Sequence, residues 1–134
     1  MCITSPAGRD RWSRIFAMKL AATPLFALLL AAPAGAQNLV VVNKTLVGSS
    51  AHKECVNLSD QQLVRYWYRA DAPIDFNIQF VENKQTQYPV KRDRQAIGSG
   101  SYAPKSPQQV TCMVWTNSGK RPVLFRVEFA RLAR

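Results

Sequence analysis

The sequence predicts an all-β domain, an antiparallel β-sandwich of about six to eight short strands with one disulfide. After residue 38, apolar and polar side chains alternate in several short segments, the period-two pattern of half-buried strands. Turn-forming residues separate these segments about every ten residues, and no segment has a convincing helical period. Cys55 and Cys112 each lie next to or inside such a segment. Two cysteines in these places favour one staple in a small domain.

Residues 18–36 have the layout of a secretory signal. The segment begins with a positive charge, continues through an apolar run and ends in the small residues Ala34-Gly35-Ala36. Cleavage after Ala36 would leave Gln37 as the first mature residue. The alternative is an uncleaved anchor, which the short apolar run disfavours because a membrane span needs about 20 residues.

Residues 1–17 are an N-terminal extension before this signal. Met1 and Met18 are alternative starts of translation. Cys2 is lost with the signal in either case. The mature chain is then one domain, residues 37–134, with no transmembrane span. Its two remaining cysteines, an even number, fit an oxidising compartment. The sequence therefore predicts an exported protein, periplasmic or secreted, of bacterial type.

A bond between Cys55 and Cys112 would close a long loop of the mature chain. In the chain-entropy model such a closure stabilises the folded state by about 4 kcal/mol. The alternative is two free buried thiols, because spacing alone does not show that two cysteines meet in space.

The first half of the mature chain predicts two strands joined by polar segments. Residues 39–47 are mostly β-branched and apolar and predict the first strand. A polar connection with the exposed loop histidine His52 leads to the first cysteine, and residues 57–60 are predicted to turn. Residues 62–70 predict a second strand, since their Tyr-Trp-Tyr content argues against a helix. Residues 71–73, which include a proline, are predicted to form a turn.

The middle of the chain predicts a hairpin. Residues 74–81 are the clearest predicted strand of the chain, because apolar and polar residues alternate strictly from residue 74 to residue 80. Residues 82–85 are predicted to form the hairpin turn, and the chain returns through residues 86–90. Pro89 places this return at a sheet edge or a bulge, because proline cannot donate to a ladder. A further short strand is predicted over residues 94–98.

The last third of the chain predicts a loop and two strands. Glycine, serine and proline dominate residues 98–107, which therefore predict a loop-rich stretch around Tyr102. Residues 109–116 predict a strand that carries the second cysteine, and residues 117–122 predict a turn. Residues 123–129 predict the final strand, with its two valines and two phenylalanines facing inward.

Four motifs follow one another in a recognisable order along the mature chain. They are Glu54-Cys55, the aromatic strand 64–68 leading to the alternating strand 74–78, Gly100-Ser101-Tyr102, and the run from Cys112 to Asn117 before the strand 123–129. In this order they resemble the GOLD (Golgi dynamics) β-sandwich domain, best known from the lumenal part of secretory-pathway cargo receptors. The resemblance covers roughly residues 39–131.

The resemblance has two implications. In the cargo receptors the two cysteines bond to each other, which implies a Cys55–Cys112 pair here. Those receptors continue into a coiled coil, a transmembrane helix and a cytosolic tail, none of which is expected here, so cargo-receptor function does not transfer. What the resemblance implies is a non-catalytic domain that binds protein or lipid through one face or edge of the sandwich.

Catalytic chemistry is not supported by the sequence, and neither a cofactor nor a metal is expected. His52 would have to be the general base of any nucleophilic arrangement, and it lies in a polar connection. The carboxylates Asp71, Asp75 and Asp93 could form pairs, but the first two flank a predicted turn, where capping or solvent exposure is expected. There is no second histidine, no Cys-x-x-Cys and no phosphate loop.

Arg65, Trp67 and Arg69 alternate with apolar residues and should share one outward face. A tryptophan between two arginines suits an anionic or glycan ligand, through stacking and charge-assisted hydrogen bonds. The alternative is that a loop covers Trp67 while the arginines extend past it to water. Lys91, Arg92 and Arg94 are expected to guard an edge strand against aggregation.

Three functions remain open on these grounds. The first is an exported, non-catalytic binding module whose partner is a protein or an anionic envelope component, not specific nucleic acid. The mature chain has 14 Lys or Arg against 7 Asp or Glu, a net charge of +7, which favours anionic surfaces or simply keeps the protein soluble. The second is a structural accessory subunit of an envelope assembly, held by edge-strand pairing. A hydrolase or metal enzyme is the third and the least supported.

Overall fold

The computed structural model describes residues 38–134. The predicted signal 18–36, the extension before it and Cys2 lie outside the described residues. The six strands are β1 Val40–Leu46, β2 Ser50–Ser59, β3 Gln62–Glu82, β4 Gln85–Tyr102, β5 Gln108–Asn117 and β6 Val123–Ala133. The described chain contains strands and connections without a helix, so the predicted all-β class is confirmed. Within that range, no helix is long and apolar enough to cross a membrane.

All six strands belong to one antiparallel sheet that folds over into two facing halves. We call these halves the first sheet and the second sheet. The first sheet has the strand order β1, β6, β3, β4, and the second has the order β2, β5, β3, β4. β3 takes part in both because it pairs with β6 through residues 62–70 and with β5 through residues 75–79. The halves pack face to face, since the ring centroids of Phe76 and Tyr66 are 4.7 Å apart. The predicted sandwich is confirmed, although β3 and β4 are much longer than the short strands expected.

The chain crosses between the two sheets at residues 71–73. The predicted turn there is wrong, because β3 continues through this segment with only a shift of register between Arg69 and Ile74. Asp71 Oδ1 accepts a hydrogen bond from Leu124 N at 2.9 Å, just beyond the last β3–β6 pair. The carboxylate therefore satisfies a backbone donor at the point where the strand ladder ends.

A second carboxylate has a similar role on the other side of β3. Asp75 Oδ1 accepts from Arg94 N at 2.9 Å. Arg94 has a φ of 58°, in the left-handed region, and lies in a register irregularity of β4. Both aspartates therefore accept a hydrogen bond from a backbone N–H where the strand pairing is irregular. In the sequence alone they indicate only a turn.

The core lies between the two sheets and follows the predicted alternation. The side chains expected to face inward from β3 and β6 are buried except Phe80, which is half-buried, and Trp115 with Met113 from β5 is buried too. The buried apolar residues of these three strands are Val64, Tyr66, Tyr68, Ala70, Ile74, Phe76, Ile78, Met113, Trp115, Val123, Phe125, Val127 and Phe129. The ring centroid of Trp115 is 5.4 Å from that of Phe125, which joins the second sheet to the first.

The hairpin between β3 and β4 forms as the sequence predicts, but β4 runs further. Asn83 and Lys84 have φ angles of 50° and 62°, as a two-residue turn with two left-handed residues requires. Pro89 lies in the register shift opposite Ile78 and Phe80, and β4 pairs with β3 alone within the described residues. Proline is therefore at both a bulge and an edge, as expected.

The predicted loop over residues 98–102 is wrong, because this segment is the end of β4. Its glycines make room for aromatic rings on the paired strand. A Cβ added at Gly98 would lie 2.4 Å from the Tyr68 ring, and one at Gly100 would lie 2.7 Å from the Tyr66 hydroxyl. Glycine reads as a loop residue in the sequence, but here it allows close packing within a strand.

The polar connection predicted before Cys55, and most of the turn predicted at residues 57–60, are also wrong. Residues 50–59 form β2, and the chain turns at residues 60–61. Cys55 pairs directly with Cys112 on β5, and the two sulfurs are bonded. The predicted disulfide is confirmed and the alternative of two free thiols is wrong. The bond links neighbouring strands on the outer face of the second sheet.

Candidate functional site

The three side chains singled out in the sequence share one solvent-facing surface. Arg65, Trp67 and Arg69 are exposed on β3, and they alternate with residues that are buried between the sheets. Because β3 is flanked here by β6 and β4, the three side chains lie in the middle of the outer face of the first sheet. We call this surface the Trp67 face.

Trp67 has small, apolar and charged neighbours on this face, since Ile97 and Arg126, which both pair with Arg69, occupy positions diagonal to it. Its directly paired neighbours are Ser99 on β4 and Glu128 on β6. Ser101 and Ala130 occupy the next outward positions on the same two strands. Trp67 is 36% exposed, whereas Trp115 in the core is fully buried. Trp67 is therefore only partly open to solvent on this face.

Two depressions lie side by side on the Trp67 face. The Trp67 groove has a volume of about 570 Å³. Its lining residues are Leu39, Arg65, Tyr66, Trp67, Ser99, Gly100, Ser101, Glu128, Phe129, Ala130 and Leu132. The Arg69 groove has a volume of about 760 Å³. Its lining residues are Asn43, Lys44, Thr45, Arg69, Ala70, Asp71, Leu124, Phe125 and Arg126.

Two arginines oppose each other in the Arg69 groove. Arg69 on β3 is directly paired with Arg126 on β6. Arg126 is partly neutralised, since its Nε and Nη2 donate to Glu128 Oε1 at 3.1 and 2.5 Å, and its Nη1 donates to Asn43 Oδ1 at 3.3 Å. Arg69 forms no ion pair within the described residues. Like charges directly opposite across two strands destabilise a sheet, so this pair is a local conflict that an anion would relieve.

The face therefore offers a distinct set of chemical groups. Arg65 and Arg69 can donate to carboxylate, sulfate or phosphate oxygens. Trp67 offers a flat apolar ring between them, and Ser99 and Glu128 offer hydroxyl and carboxylate groups beside the ring. The arrangement can hold a ligand that combines negative charge with a flat or ring-shaped part.

Arg126, Glu128 and Ser99 belong to this face but were not singled out in the sequence. The alternation over residues 123–129 puts Arg126 and Glu128 outward, which is a readable signal. The sequence does not show that β6 and β4 pair with β3 on either side. It also places Ser99 in a segment that is predicted to be a loop. These residues are brought to Trp67 by topology.

His52 is not the exposed loop residue that the sequence predicts. It lies in β2, its side chain is 14% exposed, and its Nε2 is 2.8 Å from Glu54 Oε1. Its ring centroid is 6.2 Å from that of Trp115 and 6.0 Å from that of Phe125. β2 is an edge strand, and its inward side chains pack at the margin of the core, where polar residues are tolerated. Its sequence therefore lacks the apolar alternation that would have predicted a strand.

No group of three or more His, Cys, Asp or Glu side chains that could hold a metal ion occurs among residues 38–134. The displaced pKa values belong to core tyrosines instead. Burial raises the pKa of Tyr68 to about 12, with a further increase from Tyr66, against an opposing effect of Arg92. Burial also raises the pKa of Tyr66 and of Tyr102. These three side chains pack in and around the core, although Tyr66, which is 6% exposed, also lines the Trp67 groove.

Comparison with known proteins adds information on the fold alone. No protein-family model matches the sequence, and no curated protein matches it. The structure is similar to the crystal structure of the Yersinia pseudotuberculosis-derived mitogen (YPM), with a TM-score of 0.54 and 10% sequence identity. The match covers 70% of this chain and 86% of that chain.

Proposed function

We propose that this protein is an exported, non-catalytic binding module that engages an anionic partner through the Trp67 face. The observation that carries the proposal is the direct cross-strand pairing of Arg69 with Arg126 beside the exposed Trp67. Without a ligand, this pair of like charges does not stabilise the sheet. An anionic group in the Arg69 groove would turn the local repulsion into two charge-assisted contacts.

Export is part of the same proposal. The layout of residues 18–36 is that of a secretory signal, and the Cys55–Cys112 bond fits an oxidising compartment. The resemblance to the GOLD domain agrees with a binding role without catalysis, and it stays a prediction. An anionic envelope component, or an acidic protein surface, is the partner class that the charges of the Trp67 face favour.

The alternative, an accessory subunit held by edge-strand pairing, also stays a prediction. The free edges carry features that oppose strand addition. Lys44, although exposed, is paired with the inward Phe125 and so lies on the core-facing side of β1. β4 has Pro89 and register shifts, and β2 presents Lys53 and Glu54. We therefore give the sheet face precedence over the sheet edges.

The proposal is tested by titrating the protein with polyanions at two salt concentrations. The probes are an acidic polysaccharide and vesicles that contain anionic lipid, at roughly 50 and 300 mM salt, which differ clearly in Debye length. We expect binding that weakens with salt and that falls about tenfold in the variant Arg69→Ala.

A matched control removes equal charge from the opposite face. Lys53 and Lys91 lie in one row on the outer face of the second sheet, on either side of Val114 and Asn77. The single variants Lys53→Ala and Lys91→Ala should bind as the parent does. Equal losses in Arg69→Ala and in these controls would mean that net charge alone governs binding, and the assignment to the Trp67 face would fail.

A further inference from the structure

We infer that the ligand of the Trp67 face is an acidic oligosaccharide, with a sugar ring stacked on Trp67 and acidic groups held by the flanking arginines. The inference rests on the proposed function and deepens it. It commits to one chemical class among the anions that the face could accept.

The stacking platform is the first step. Trp67 is 36% exposed in the middle of a strand, and Ser99 beside it and Ser101 and Ala130 at two diagonal positions are too small to cover its ring. Ile97 and Arg126 occupy the other two diagonal positions. A partly exposed indole in the centre of a sheet offers its open apolar surface to a flat ligand ring. The Trp67 groove of about 570 Å³ is shallow and open, so it suits a chain-like ligand that lies along the sheet.

The spacing of the charges is the second step. Arg65 and Arg69 are each two residues from Trp67 on the same face of β3. Side chains two residues apart on a strand are separated by about 7 Å, so the arginines lie about 13 Å apart with the indole midway. A ligand that fits all three groups carries negative charges on both sides of a central ring. A chain of acidic sugars has this alternation of rings and charges.

Glu128 separates the acidic sugar from other anions. This carboxylate is directly paired with Trp67, and so it lies beside the ring on which the ligand would stack. Its Oε1 already accepts from Arg126, so its charge is partly neutralised, and a phosphodiester has no hydroxyl group to donate to the remaining lone pairs. A sugar hydroxyl would instead donate to Glu128, and Ser99 and Ser101 across the groove can exchange hydrogen bonds with further hydroxyls. Single-stranded nucleic acid usually stacks on successive aromatic side chains, whereas the Trp67 groove has one exposed tryptophan.

The test compares four defined probes by calorimetric titration. They are an oligogalacturonate of about six sugars, a neutral gluco-oligosaccharide of the same length, a thymidine oligonucleotide and vesicles that contain phosphatidylglycerol. We expect the acidic oligosaccharide to bind at least about tenfold more tightly than each of the other probes. Trp67→Ala should weaken that binding about fivefold or more, as expected for the loss of a stacked ring.

Two further variants make the test specific. Glu128→Gln keeps the shape of the side chain but removes its charge, which weakens its hydrogen bonds to a sugar hydroxyl and to Arg126. It should therefore narrow the difference in affinity between the acidic sugar and the oligonucleotide. The exposed residue Val81 on the opposite sheet provides the control Val81→Ala, which should leave all affinities unchanged. Acrylamide quenching adds a direct readout, because sugar bound on Trp67 would shield the exposed tryptophan, and this shielding should be lost in Trp67→Phe.

The outcomes separate this inference from the proposed function. If all polyanions bind alike and Trp67→Ala has no effect, the oligosaccharide is overturned while an anion-binding face remains. Tighter binding of the oligonucleotide or of the vesicles also overturns it, in favour of that ligand. If no probe binds in an Arg69-dependent way, both the inference and the proposed function fail.

Discussion

Asn117 is a buried amide that ties together three segments of backbone at the end of β5. Its Nδ2 donates to Leu46 O, Val47 O and Arg121 O at 3.0, 3.3 and 2.7 Å, and its Oδ1 accepts from Gly119 N at 3.0 Å. Only 2% of the residue is exposed. One side chain therefore fixes both the turn before β6 and the end of β1.

We expect Asn117→Ala to lower the free energy of unfolding by about 3 kcal/mol, because it removes one buried and three partly buried hydrogen bonds to the backbone. Urea unfolding followed by circular dichroism measures the change. The exposed neighbour Ser118 provides the control Ser118→Ala, which should change stability by less than about 0.5 kcal/mol. Similar effects of the two variants would show that the amide network contributes little.

Tyr68 gives the protein a pH dependence at the alkaline end. Its side chain is fully buried, and burial raises its pKa from 10.0 to about 12. Above pH 10 the unfolded chain releases this proton more readily than the folded protein does. The contribution of Tyr68 to stability is therefore complete below pH 10 and is lost as the pH rises from 10 to 12.

The variant Tyr68→Phe should consequently lose less stability than the parent between pH 10 and 12. Chemical denaturation at several pH values measures this difference. Tyr88 is 55% exposed, so Tyr88→Phe should follow the parent curve. Parallel curves for the parent and Tyr68→Phe would contradict the assignment, since the other groups that titrate in this range are common to both proteins.

At the scale of the strand, the disulfide compensates for the weak position of β2. This strand pairs with β5 alone within the described residues, and its side chains are mostly polar. The bond from Cys55 to Cys112 closes a loop with a sequence separation of 57. We expect the double variant Cys55→Ser/Cys112→Ser to lose up to about 4 kcal/mol, the chain-entropy value for such a loop.

The measurement is urea unfolding with and without a reducing agent. Reduction should destabilise the parent and leave the double variant unchanged, which makes the variant its own control for side effects of the reagent. Hydrogen exchange should become faster chiefly in β2, the strand that loses its staple. An unchanged midpoint on reduction of the parent would show that strand pairing alone holds β2 in place.

The strands that could be predicted are those whose inward side chains are apolar. Ile74, Phe76 and Ile78 alternate with polar residues and lie in the core as expected. β2 escaped prediction because its inward positions include His52 and Glu54, which pack at the margin of the core. The sequence indicates a strand only where one face is buried and therefore carries apolar residues at alternate positions.

The end of β4 escaped prediction for a different reason. Gly98 and Gly100 indicate a loop when they are read alone, and only their pairing with Tyr68 and Tyr66 explains them. The same limit applies to the candidate site. Arg65, Trp67 and Arg69 could be placed on one face from local alternation, whereas Arg126 and Glu128 required knowledge that β6 pairs with β3.

At the scale of the whole molecule, β3 and β4 run through both sheets, so the stability of each sheet depends on the other. β3 pairs with β6 in the first sheet and with β5 in the second, and β4 accompanies it through both. The core rings continue this connection, since Phe76 contacts Tyr66 and Tyr68 while Trp115 contacts Phe125. Neither sheet can open without breaking pairs and contacts that belong to the other.

We therefore expect one cooperative unfolding transition in the disulfide-bonded protein. Native-state hydrogen exchange tests this by comparing amides of β6, which pair with residues 62–70, with amides of β5, which pair with residues 75–79. The slowest amides of both strands should exchange with the same free energy, equal to that of global unfolding. A lower value for β5 would mean that the second sheet opens by itself, and that the Trp67 face can stay folded without it.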